Sequence, residues 1–196
     1  MMMDKQKTIG KHLMDTENVP ENKKKNLLAQ IWSFFSPAII CGVIVVLVQN
    51  FIIFYATVPT GSMKNLIQEH SFILANRLAY RAEEIQRGEV IVFDQGDKFL
   101  VKRVIGIGGD EVELRGGNVY LNGTELDESA YVLGDTYALN GRTVFQVPEG
   151  CVLVFGDNRN NSSDSRMWKE PYVSESNVRG RVFCAFSFVD WYFKVV

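Results

Sequence analysis

Hydrophobic and polar positions fall into two regimes along the chain. No charged residue occurs between Lys25 and Lys64. The core of that gap, residues 31–56, is almost wholly apolar, with Gln49 and Asn50 its most awkward members. A helix needs about 20 mostly apolar residues to cross about 30 Å of hydrocarbon. The run therefore predicts a membrane-spanning signal-anchor helix over 31–56, with an interfacial first turn around Trp32 and Pro37. A cleaved secretory signal would need a shorter apolar region and a small-residue exit, and Ala56-Thr57-Val58 is a poor one. A helix apolar on all sides in a soluble protein would need a larger protein around it.

From Phe72 onward the pattern changes to short apolar runs broken by turn residues. Residues 90–93, 99–105, 111–114, 118–121, 143–147, 151–155 and 181–188 are rich in Val, Ile, Phe and Tyr, as strands are. Between them sit Gly116-Gly117, Asn122-Gly123, Asn140-Gly141 and Pro148-Glu149-Gly150. Asn-Gly signals a tight hairpin, because both central residues of a type I′ turn need positive φ. The fold class expected is mainly β: an N-terminal transmembrane helix, then an all-β domain of coiled or barrel-like antiparallel sheets.

Composition changes the picture little: 46% hydrophobic, 22% charged, net charge −2 over 196 residues. It excludes a disordered chain and a disulfide-dense mini-protein. Charge distribution says more. Residues 1–26 carry six Lys against four acidic residues, with Lys23-Lys24-Lys25 beside the span. Positive charge stays on the cytoplasmic side. Three segments follow: a cytoplasmic basic tail (1–30), the span (31–56) and an extracytoplasmic β-rich domain (57–196). That domain holds 15 Lys plus Arg against 19 Asp plus Glu, a balance with no footprint for nucleic acid. Cys151 and Cys184 lie in two strands, where free thiols are the default. An outer compartment would permit a bridge between them.

Gly106-Ile107-Gly108-Gly109 is not a dinucleotide loop, because a strand rather than a helix follows it. Residues 157–168 are not a calcium loop, with Arg159 at the third position and Trp168 at the twelfth. No cysteine or histidine cluster suggests a metal. Pro59-Thr60-Gly61-Ser62-Met63 follows the span directly, so a nucleophile at Ser62 would serve substrates that are themselves in the membrane. A serine hydroxyl needs an activating base. His70 lies in a polar stretch, Glu69-His70-Ser71, with no obvious orienting acid nearby. A lysine can serve only when neutral, which means lowering its pKa from about 10.4 by roughly 2–3 units through burial and positive neighbours. Lys102 sits in mid-strand, with Leu100 and Val104 on the same face. Patterning alone leaves two readings open for it, a base or a snorkelling edge-strand lysine.

Five boxes then occur in order: residues 59–63, 76–80, 87–93, 101–106 with Gly109-Asp110, and Gly156-Asp157-Asn158-Arg159 with Ser162, Asp164, Ser165 and Arg166. Together they resemble the bacterial type I signal peptidases, in particular the short single-span form of Gram-positive bacteria. The resemblance implies a membrane-anchored serine endopeptidase that removes signal peptides from exported preproteins with a Ser-Lys dyad. It implies Ser62 as nucleophile and Lys102 as general base, with no metal or cofactor. Thr60 falls where a hydroxyl helps form the oxyanion hole, Ser162 where one orients the lysine, and Asp164 and Arg166 where an ion pair supports the site. The implied partners are the lipid bilayer and preproteins with Ala-X-Ala-like cleavage sites. Departures occur at Lys64-Asn65-Leu66-Ile67, His70-Ser71, Glu89 and Asn160, none at the implied nucleophile or base. Two other readings are a catalytically silent scaffold or chaperone in surface-protein assembly, and a relative of self-cleaving Ser-Lys repressors. The second would need a DNA-binding segment where this chain has its apolar run.

Overall fold

In the computed structural model the described residues are 21–188 and 191–196, with side chains described from residue 29. The first 20 residues of the expected tail lie outside the described residues. Helix α1 spans Glu21–Phe51 and continues through Pro37. Its segment Ala29–Phe51 is long and apolar enough to cross a membrane. At 1.5 Å per residue those 23 residues cover about 34 Å, enough for a hydrocarbon core of about 30 Å. The expected span to Ala56 is corrected here. Residues Ile53–Val58 form strand β1, not helix. The run Ile-Phe-Tyr-Ala-Thr-Val is β-branched and aromatic, and apolar content alone cannot separate such a strand from a helix end. What decides is a partner strand that satisfies its backbone.

That partner is β2 (Ser71–Asn76), antiparallel to β1 from Ile53↔Asn76 to Val58↔Ser71. The remaining strands are β3 (Val90–Gln95), β4 (Lys98–Ile107), β5 (Glu111–Arg115), β6 (Asn118–Leu121), β7 (Thr124–Glu125), β8 (Val144–Gln146), β9 (Cys151–Phe155), β10 (Tyr172–Ser174), β11 (Val178–Ser187) and β12 (Tyr192–Val195). They form a larger sheet ordered β1-β2-β11-β3-β4-β9-β10, with β12 on β11, and a smaller one ordered β7-β6-β5-β8. The mainly antiparallel β class is the one expected. All seven expected strands are present; β1, β2, β7, β10 and β12 are additional. Asn122 and Gly123 both adopt positive φ (52° and 82°) between β6 and β7, as a type I′ turn requires. Asn140-Gly141 instead lies in an irregular stretch before β8.

Three buried clusters hold the strands together. Phe54, Met63, Ile73, Val90 and Val182 belong to one. Ile91, Phe93, Val104, Val152 and Val154 belong to another. Ile105, Val112, Phe145 and Phe155 form a third, which joins the two sheets. Met63 ties the turn after β1 into the first cluster, so the position of Ser62 is set by core packing on its next neighbour. Cys151 and Cys184 are both free thiols, so the permitted bridge is not formed.

Candidate active site

The chain leaves β1 through Thr60 in an extended conformation and enters one 3₁₀ turn, Gly61–Met63, closed by the Lys64 N–H donating to Gly61 O at 3.1 Å. All three turn residues are buried. On the sheet, β4 lies between β3 and β9. Register sets Lys102 opposite Ile91, and Leu100 and Val104 pack with the Ile91 cluster. Lys102 is therefore no edge-strand lysine. It is 3% exposed, and its Nζ lies 2.7 Å from Ser62 Oγ, across 40 residues of sequence.

Electrostatics reinforce the geometry. Burial pulls the Lys102 ammonium down to about 8, against the raising influence of Asp164 and Asp157 and with a smaller lowering push from Arg166. Each of those three is already engaged. Arg166 Nε and Nη2 fork onto Asp164, both at 2.9 Å. Arg103 Nε and Nη2 fork onto Asp157 at 2.8 and 2.7 Å. Among the described residues, the buried arginines 103, 159 and 166 each hold a carboxylate, while Lys102 has none within ion-pair distance. Desolvation therefore outweighs the pull of the two carboxylates, neither of which forms an ion pair with Lys102.

The structure brings together most of the residues singled out in the sequence. Thr60 Oγ1 lies 3.4 Å from Ser62 Oγ. Asp164 and Arg166 form the expected pair, and Asp164 also accepts the Gly156 N–H at 2.9 Å. Ser162 is placed differently from what the resemblance implies. Its hydroxyl is buried without a hydrogen-bond partner, so it makes no bond to Lys102. It sits against Gly156, where a Cβ would come within 2.5 Å of Ser62 O and closer still to Ser162 Oγ. Only glycine allows that approach.

Sequence reasoning missed the layer behind these groups. Asn158 donates from its backbone to Ser62 O and from Nδ2 to Gly61 O, both at 3.0 Å. Arg159 forks onto Glu128 and donates to Thr136 Oγ1 and to Gly156 O. Arg103, Asp157, Asn158 and Arg159 stood inside two of the five boxes, a signal that was there to use. Glu128 stood in none.

A mainly antiparallel β domain that buries a lysine amine against a serine hydroxyl has the make-up of a Ser-Lys hydrolase. Comparison with known proteins narrows the class. The family model described as signal peptidase, peptidase S26, matches residues 31–187. The chain is 32% identical over 183 residues to a probable signal peptidase I-2 of Synechocystis, covering 87% of this chain and 82% of that one. It is 32% identical over 161 residues to signal peptidase I S of Bacillus subtilis, covering 78% and 84%. It is 30% identical over 184 residues to signal peptidase I of Bacillus caldolyticus, covering 88% and 96%. The chain belongs to the signal peptidase family, peptidase S26.

Proposed function

We propose that this chain cleaves signal peptides from exported preproteins by acyl transfer, with Ser62 as nucleophile and Lys102 as general base. Family membership supports a signal-peptide-cleaving serine peptidase. The single observation that carries the assignment of roles is the 2.7 Å approach of a buried lysine, free of any carboxylate in ion-pair contact, to Ser62 Oγ. Neutral Lys102 accepts the hydroxyl proton as Ser62 Oγ attacks the scissile carbonyl. The Ser62 N–H and the Thr60 hydroxyl hold the oxyanion. Collapse breaks the C–N bond, and the Lys102 ammonium returns its proton to the leaving amine. Lys102, neutral again, takes a proton from water, whose oxygen attacks the ester; on collapse the Lys102 ammonium gives that proton to the departing Ser62 Oγ, and the signal peptide leaves with a new carboxyl group. Ser162, buried and unpartnered, offers a hydroxyl to the wall of this site as the charge moves. The Asp164–Arg166 pair keeps Gly156 pressed against the Ser62 carbonyl.

The preprotein segment extends along a strand edge, with main-chain pairing for affinity and small pockets taking Ala-like residues at the first and third positions before the cut. Segment Ala29–Phe51 anchors the chain in the bilayer. The lysines at 23–25 keep its amino terminus cytoplasmic and the β domain outside. Ser62 follows the helix end at Phe51 by only 11 residues, which suits a substrate that is itself membrane-bound.

The test is processing of a precursor by the full chain in detergent micelles. Ser62→Ala and Lys102→Ala are each expected to abolish cleavage while the melting temperature stays near wild type. Normal cleavage by either variant defeats the role assignment. A wild-type chain that binds precursor without cutting it would be the silent scaffold.

A further inference from the structure

The amide that joins Gly61 to Ser62 contributes the carbonyl of one residue and the N–H of the next. In a planar trans peptide these two point in opposite directions. Fixing the Gly61 oxygen therefore fixes where the Ser62 N–H points. The Gly61 oxygen is held twice: by the Lys64 N–H inside the turn at 3.1 Å, and by Asn158 Nδ2 from the segment that follows β9 at 3.0 Å. The Ser62 carbonyl, on the other side of the same Cα, accepts the Asn158 backbone N–H at 3.0 Å. One residue thus grips both peptide planes that flank Ser62.

Asn158 is itself held on each side. Asp157 before it is forked by Arg103, and Arg159 after it is forked onto Glu128. Gly156 brings this segment close enough to touch the Ser62 carbonyl. Asn158 is 8% exposed, and its side chain crosses 97 residues of sequence to reach a main-chain oxygen. A hydrogen bond to a carbonyl also polarises its amide, which makes the attached N–H a better donor.

We infer that Asn158 is a positioning residue for the reaction: by holding Gly61 O with its side-chain amide, it aims the Ser62 N–H at the oxyanion. The inference rests on Ser62 being the nucleophile. Its contribution is confined to states that carry the oxyanion, so it strengthens the transition state and leaves ground-state peptide binding unchanged.

The test compares two peptides of one sequence, ending in an aldehyde and in the corresponding alcohol, as inhibitors of the full chain in detergent micelles. The aldehyde adds reversibly to the Ser62 hydroxyl and creates an oxyanion; the alcohol cannot. Asn158→Leu keeps the side chain's shape and removes the donor. Its expected behaviour is a kcat lower by about tenfold to a hundredfold, less than the full loss of an oxyanion donor. KM stays within about twofold, and the aldehyde's advantage over the alcohol shrinks by the same factor as kcat. The acid limb of the pH profile does not move, since Lys102 stays buried. A smaller folded fraction would lower kcat but leave both inhibition constants alone, so the ratio separates positioning from structure. If Asn158→Leu does not fold, Asn158→Ser, too short to reach Gly61 O, gives the same ratio. An unchanged aldehyde-to-alcohol ratio overturns the inference, as does equal weakening of both inhibitors. Ser62→Ala must erase the aldehyde's advantage; if it does not, the nucleophile assignment itself falls, separately from the role of Asn158.

Discussion

Along α1 the large apolar side chains face outward: Phe34 is 78% exposed and Trp32 65%. In the β domain the order is inverted, and the two largest side chains that are fully buried are Arg159 and Arg166. Each arrangement is unstable in the other's surroundings. An exposed apolar helix of this length is stable only where the solvent is hydrocarbon. A buried arginine is tolerated only where a carboxylate neutralises it and its donors are satisfied. The buried polar groups of the β domain show how it isolates one amine. The buried arginines, their carboxylates and Asn158 are bonded to each other or to main chain, and Lys102 is left with a serine hydroxyl and no carboxylate. The polar layer both holds the Ser62 turn and consumes the counter-ions that would otherwise keep Lys102 charged.

Three experiments break or sharpen that contrast. The largest effect is expected in the helix. Ile40→Lys combined with Ile44→Lys places two charges mid-span, at about 2.5–3.5 kcal/mol each on insertion scales. Alkaline extraction should release the doubly substituted chain from membranes, with the melting temperature of its β domain unchanged. A chain that stays embedded would show that α1 is not the anchor. Next comes the buried layer. Asp157→Ala leaves the Arg103 guanidinium uncompensated, a loss of about 3–5 kcal/mol, readable as a lower urea midpoint. The paired change Arg103→Met with Asp157→Leu should recover most of it. A near-neutral Asp157→Ala would mean the arginine is solvated in a way its burial denies. The third and subtlest effect is the titration of Lys102.

The helix was legible because composition alone specifies it, yet its end was misplaced by five residues, at Ala56 rather than Phe51. Nothing local distinguishes Ile53–Val58 from more span; only pairing with Ser71–Asn76 does, and that contact is remote in sequence. Strands with clean apolar runs were legible for the same local reason, while the two-residue β7 and three-residue β10 carry no periodicity to read. Ser62 and Lys102 could be ranked from patterning, the lysine from its mid-strand place between Leu100 and Val104. Their meeting could not, since 40 residues separate them. The grip of Asn158 on the Ser62 turn and the Arg159–Glu128 fork are three-dimensional facts with no spacing rule behind them. The resemblance carried Asp164 and Arg166 correctly into one pair and placed Ser162 on Lys102, where the structure gives that hydroxyl no partner.

The most direct test is the pH dependence of kcat/KM for the unaltered chain in detergent micelles. Activity needs the neutral amine, and the neutral fraction grows with pH. With the Lys102 pKa at about 8, about a tenth of the enzyme is competent at pH 7, against about one part in 2,500 at the ordinary lysine pKa of about 10.4. The profile should climb tenfold per pH unit below neutrality and reach half its plateau near pH 8. A profile still climbing steeply past pH 10, or one flat down to pH 6, would contradict Lys102 as the base.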